Sequence, residues 1–163
     1  MKTLHYLFIF LMFAVASSCT KEKLTKPTQT GANTFSCKIN GKVYVAKTYY
    51  LSPSLTGGLA GAPGRYEYSV EAVVRNDADK ASYTIGLFCG PGISEGVYPI
   101  SYGSVDYNNG NYTSYSLKPG TINFTHIDYV QRIISGTFSF TAVNTKDTND
   151  VIAVTEGRFD MKN

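Results

Sequence analysis

An all-β fold, an antiparallel β-sandwich of about eight strands, is what this sequence predicts. Tyr, Val, Ile, Phe and Thr recur in short alternating runs, the composition of half-buried strands. After the first eighteen residues no stretch sustains a 3.6-residue apolar period. Turn signals, led by Asn40-Gly41, fall at hairpin spacing.

The chain opens with a segment of a different kind. Lys2 precedes an apolar run from Leu4 to Ala16 that is too short to span a bilayer, which needs about 20 residues. Ala16-Ser17-Ser18 then places small residues directly before Cys19. Residues 1–18 read as a secretory signal, and with Cys19 they resemble a bacterial lipobox, with Ala16 where Leu is usual. That resemblance implies a diacylglyceryl group on the Cys19 sulfur and a bilayer as the first partner. Two or more acyl chains hold stably where one binds reversibly.

Removing the leader leaves 145 residues, enough for one domain with a core. The full chain carries +3, and losing Lys2 lowers this to +2, too little to argue for nucleic acid. Residues 19–33 are polar and read as a lipidated flexible tether, with Lys21, Lys23 and Lys26 near the anchor. Residues 34–163 form the single all-β domain.

Within it, Phe35 to Ile39 alternates, Asn40-Gly41 turns, and Lys42 to Tyr49 continues. A two-residue turn sets Cys37 opposite Tyr44; a three-residue loop would instead pair Ile39 with Val43. Residues 52–64 read as a loop of small residues and prolines. Tyr66, Tyr68, Val70, Ala72 and Val74 share one strand face, with Glu67, Ser69, Glu71 and Arg75 on the other. After a turn at 76–79, Ala81, Tyr83, Ile85, Leu87 and Cys89 are the next inward set, ended by Gly90-Pro91-Gly92. Val97 to Ile100 contains Pro99 and belongs at an edge. Residues 101–120 read as one weak strand near Tyr112–Leu117. Thr121 to Ile127 and Gln131 to Val143 alternate again. In the last strand Ile152 and Val154 are even while Phe159 and Met161 are odd, which predicts a bulge at 155–157 with Gly157 in the unusual conformation. The same strand count also allows a small closed calycin-like barrel.

Phe35-x-Cys37-x-Ile39-Asn40-Gly41-Lys42-x-Tyr44-x-Ala46, with Ile134 to Phe140 and Val154 to Asp160, is similar to segments of a family of small, uncharacterised Bacteroidetes lipoproteins. The resemblance implies a Gram-negative envelope and favours the two-residue turn. It transfers no activity, no cofactor and no catalytic residue. Thr20 after the cysteine points to the outer membrane, and the lack of clustered acids there favours its periplasmic face.

Few residues suggest chemistry. The mature chain has one histidine, His126, so a Ser-His-Asp site would have to use it, without a Gly-x-Ser-x-Gly elbow, and a zinc site built from several histidines is excluded. Cys37 and Cys89 are a candidate disulfide or two buried thiols. Asp77 with Asp79, Asp147 with Asp150, and 106–111 read as turn residues rather than calcium loops. The candidate ligand surface is Tyr98, Tyr102, Tyr107, Asn109, Tyr112 and Tyr115, rings with polar tips that suit a glycan or a protein partner. A non-catalytic binding module is the expected function; an accessory subunit of an envelope assembly and a carboxylate-based hydrolase are the alternatives. Replacing Cys19 by Ser is expected to abolish palmitate incorporation and to move the chain from the membrane to the soluble fraction. Palmitate retained by Cys19→Ser would remove the lipobox reading.

Overall fold

The computed structural model describes residues 22–47, 54–110 and 112–163, without the side chains of residues 79–81 and Tyr112. The leader and Cys19 lie outside the described residues. The molecule is all-β and antiparallel, consistent with a sandwich, but eleven strands are described where about eight are expected. They are β1 (Thr34–Ile39), β2 (Lys42–Ala46), β3 (Leu55–Ala60), β4 (Glu67–Asn76), β5 (Asp79–Cys89) and β6 (Gly96–Pro99), then β7 (Tyr102–Asn108), β8 (Tyr112–Leu117), β9 (Thr121–Asp128), β10 (Ile133–Asn144) and β11 (Val151–Lys162). No helix of the described residues is long and apolar enough to cross a membrane.

The first hairpin follows the two-residue turn. Asn40 and Gly41 both have positive φ (48° and 81°), and Cys37 lies opposite Tyr44. Asn40 also binds β11: its N–H donates to the Ala153 carbonyl and its Oδ1 accepts from the Ala153 N–H, both at 2.9 Å. β4 buries Tyr68, Val70, Ala72 and Val74 as the alternation predicts, and β5 buries Ile85, Leu87 and Cys89. β6, with Pro99, is bonded only to β9 and stands at an edge.

Two expectations fail for a common reason. Leu55–Ala60 is a strand, not a loop, because it pairs along β4 from Leu55↔Ala72 to Ala60↔Glu67. Tyr102–Asn108 is likewise a full strand between β5 and β8. Glycines interrupt both segments, Gly57 and Gly58 in the first and Gly103 in the second, which weakens their sequence signal, and pairing with a neighbour's backbone groups supplies their strand character.

The ladders return on themselves. The hydrogen-bonded order runs β11-β1-β2-β4-β5-β7-β8-β10, and β10 pairs back to β11. β9 and β6 branch from β10, since Ile133–Ser139 of β10 pairs with β9 and Ala142–Asn144 with β8. Inside the circuit Tyr68 stacks on Phe159 (4.8 Å) and meets Phe124 edge-on (5.5 Å), while Phe35 packs on Phe138 (4.9 Å). Those rings join β1, β4, β9, β10 and β11 in one core.

The bulge in β11 lies where the parity break places it. Phe138 pairs with Gly157 but Phe140 pairs with Val154, and the β1 ladder slips at the same point. The positive φ, however, belongs to Glu156 (50°), not to Gly157. Gly157 is required for space: a Cβ there would sit 2.5 Å from the Phe138 ring. Gly157→Ala is therefore expected to destabilise the domain by about 1–3 kcal/mol through overpacking, while Glu156→Gly costs no more than its exposed ion pair with Lys38 (2.6 Å). Chemical denaturation of the two variants checks the order.

Candidate functional site

The described members of the tyrosine set proposed as a ligand surface do not share one exposed face. Tyr115 is buried, and its hydroxyl donates to Asp150 Oδ2 at 2.9 Å. Burial, and then that hydrogen bond, push its phenol up to about 12. Tyr107 packs on Tyr83 (4.8 Å), which meets Tyr44 edge-on (5.0 Å), so these rings extend the core. Tyr98 is half-buried over Phe124, its hydroxyl bonded to Ser94. Only Tyr102, 70% exposed, presents a ring openly. Asn109 is exposed in the β7–β8 turn, and the Tyr112 side chain lies outside what is described. Alternation explains the outcome: Val105 and Tyr107 in β7, a strand the sequence did not disclose, and Tyr115 in β8 have inward parity.

The remaining candidates are also engaged. Cys37 and Cys89 are both buried free thiols, so no bridge joins them in this structure. Burial pushes the Cys37 thiol up to about 12 and raises that of Cys89, the reverse of a nucleophile's setting. His126 stands at the rim with Nδ1 3.6 Å from Glu95 Oε1. Asp77 pairs with Lys47, and Asp150 accepts from Tyr115 and Asn144. Asp106 accepts from Ser114 at 2.7 Å. Among the described residues no three His, Cys, Asp or Glu side chains converge as metal ligands.

The N-terminal segment departs most from expectation. Residues 22–33 have no regular secondary structure, yet they are not a free tether. They cross the outside of the sheet as a strap, from Lys47 beyond β2 to Thr125 of β9. Glu22 pairs with Lys47 (2.7 Å). Thr25 donates its N–H to Ser36 Oγ (3.0 Å), and its carbonyl accepts from Arg158 Nη1 (3.1 Å). Gln29 Nε2 donates to the Thr125 carbonyl (3.0 Å).

Asp160 holds the strap. Its neighbours Phe159 and Met161 face the core, so its carboxylate points outward, yet the residue is only 1% exposed because the strap covers it. Oδ2 accepts from Thr28 Oγ1 (2.6 Å) and from the N–H groups of Thr30 and Ala32 (3.1 Å each). Oδ1 accepts from the Gly31 N–H and from Ser135 Oγ, both at 2.8 Å. Burial alone would raise this carboxyl; the bonds from Thr28, Ser135, Ala32 and Gly31 overcome it and hold it at about 2. Ser36 and Ser135, outward-facing serines, are buried by the same strap.

Beside the strap the outer face of β9, β10 and β11 carries a groove. Three depressions of about 310, 320 and 330 Å³ adjoin one another. The first lies between strap and sheet, lined by Lys26, Thr28, Gln29 and Thr125, and shares Thr137 and Arg158 with the second. The second shares Thr121 and Ser139 with the third, which ends at Pro119 and Thr155. The lining side chains are mostly hydroxyl and amide, while the rings of Phe138, Phe140 and Phe159 lie on the opposite, core face of the same strands. Sequence reasoning placed Thr137, Ser139 and Thr141 outward but had no means to see them adjoin Thr121 and Asn123. That adjacency depends on the β9–β10 register, Asn123↔Thr137 and Thr121↔Ser139.

No family model, no curated protein and no solved structure matches this chain.

Asp160→Ala would leave the Thr28, Thr30, Gly31, Ala32 and Ser135 donors without their acceptor, and is expected to cost about 3 kcal/mol. The sign of the pH effect follows from the lowered carboxyl. Its contribution is complete above the ordinary value of 3.8 and is lost as pH falls through about 2. Acid titration of unfolding should therefore be less steep in Asp160→Ala than in the parent, and equal slopes would contradict the assignment.

Proposed function

We propose that this chain is an envelope lipoprotein, anchored in the outer membrane through Cys19, whose β domain is a non-catalytic module that binds a glycan along the β9–β10–β11 groove. The leader and the small residues before Cys19 support the anchor. The groove itself, a continuous run of hydroxyl and amide side chains across three strands, carries the binding assignment.

The chemistry favours sugar over an extended peptide. A peptide strand docks by pairing its backbone with a free sheet edge. β10 lies between β9 and β11, and β11 between β10 and β1, so their backbone groups already serve the ladders. What remains for a ligand is a set of side-chain donors and acceptors, Thr121, Asn123, Thr137, Ser139 and Arg158, suited to a partner rich in hydroxyls. The open, shallow form suits weak binding, with Kd between about 1 µM and 1 mM.

Three engaged groups argue against a hydrolase. Asp160, Asp150 and Asp77 each hold structural partners, and His126 faces Glu95 at the rim rather than a paired acid in a cleft. The accessory-subunit alternative needs a contiguous apolar surface. Among the described residues the exposed large apolar side chains are Val97, Tyr102, Tyr129, Val130 and Val151.

Titration with oligosaccharides released from Gram-negative envelopes, followed by amide chemical shifts, tests the proposal. Shifts should concentrate on 121–125 and 136–141. Thr137→Val with Asn123→Ala should weaken binding about 10-fold or more, the loss of about 1.4 kcal/mol. Tyr102→Ala should change it less than about 2-fold, an amount that leaves its energy nearly unaltered. Binding that depends on Tyr102 and ignores the groove substitutions would overturn it.

A further inference from the structure

We propose that the strap fixes how the anchored domain meets the bilayer: it lies with its β1–β2–β4 wall toward the lipid, on a leash of no more than six residues. The inference rests on the anchoring reading of Cys19.

Its basis is how the first described residues of the chain are held. Both backbone groups of Thr25 are bound, the N–H to Ser36 Oγ and the carbonyl to Arg158 Nη1. Three residues earlier the Glu22 carboxylate is paired with Lys47 Nζ, which also holds Asp77 at 2.6 Å. Cys19 to Thr25 is six residues, a fully extended reach of about 21 Å; Cys19 to Glu22 is three, about 10 Å. A free spacer running from Cys19 to Thr34 would reach about 50 Å and leave orientation open. The strap removes most of that freedom.

The exit point then selects a wall. Ser36 lies in β1, Lys47 directly follows β2, and Asp77 directly follows β4. In the eight-strand circuit β7 is four steps from β1, so Tyr102 lies on the far side. Lys23 and Lys26 on the strap are exposed, and they add positive charge where the leash meets the membrane. The partner surface is therefore a bilayer containing anionic headgroups. The groove, on β9–β11, is carried beside the membrane rather than beneath the domain.

The experiment uses the lipidated full chain in phosphatidylethanolamine–phosphatidylglycerol vesicles that contain an acceptor-labelled lipid. A donor dye is placed on Ala78→Cys, next to Asp77, or on Tyr102→Cys; Cys37 and Cys89 are buried and do not compete. Energy transfer to the bilayer should be at least about twofold greater from position 78 than from 102. Inserting twelve Gly/Ser residues between Thr20 and Lys21, which leaves the folded domain untouched, should abolish the difference. Thr28→Val, which removes one Asp160 contact, should reduce it. Equal transfer from the two positions in a chain that floats with the vesicles would overturn the inference while leaving the anchor standing. A chain that does not float would overturn the anchor itself, and the inference with it.

Discussion

The Asp160 carboxylate is the constraint on which the described structure turns. It sits on the outer face of β11, where an acid is ordinarily solvated, and it is buried because twelve residues without secondary structure of their own fold over it. A buried charge is tolerable only when its lone pairs are met. Here three backbone N–H groups and two hydroxyls meet them, within 3.1 Å. The acid gathers five of the strap's and sheet's donors on one side chain, and those donors keep it ionised although the strap has taken it out of water.

That clamp shapes three features at once. It buries Ser36 and Ser135, which would otherwise be surface serines. It forms one wall of the first groove depression, through Lys26, Thr28 and Gln29. It brings the chain leading from the proposed lipid against a particular side of the sheet. The proposed ligand site and the proposed membrane attachment therefore share a structural element. The bulge in β11 serves the same arrangement, because it changes parity between Val154 and Phe159 and so sets Asp160 outward while Phe159 and Met161 fill the core.

The inner face was legible because its rule is local. Tyr68 to Val74, Ile85 to Cys89, and Phe138 to Ala142 alternate visibly, and apolar alternation needs only the chain itself to be recognised. The Asn40-Gly41 hairpin was equally plain, since few residue pairs accept two positive φ values. The parity break disclosed the bulge, though it misplaced the reason for Gly157, which yields to the Phe138 ring rather than to a torsion. β3 and β7 were not legible. Leu55–Ala60 and Tyr102–Asn108 owe their extended form to partners far away in sequence, and no residue within either reports that partner. Tyr107 looks like part of a loop surface until β7 places it inward, and Tyr115, in the expected strand β8, is turned inward by its pairing with Val105.

Composition and local pattern were thus enough to give an all-β antiparallel domain, most of its inward residues, its first turn and the site of its bulge. Each depends on residues within a few positions of one another. Tertiary structure alone decided that the ladders close into a circuit, that the polar segment after Cys19 is a clamp rather than a spacer, and that Thr121, Asn123, Thr137 and Ser139 line one groove. Those outcomes depend on register between distant strands and on one carboxylate's demand for donors, and a polar residue facing outward carries no mark of what will cover it.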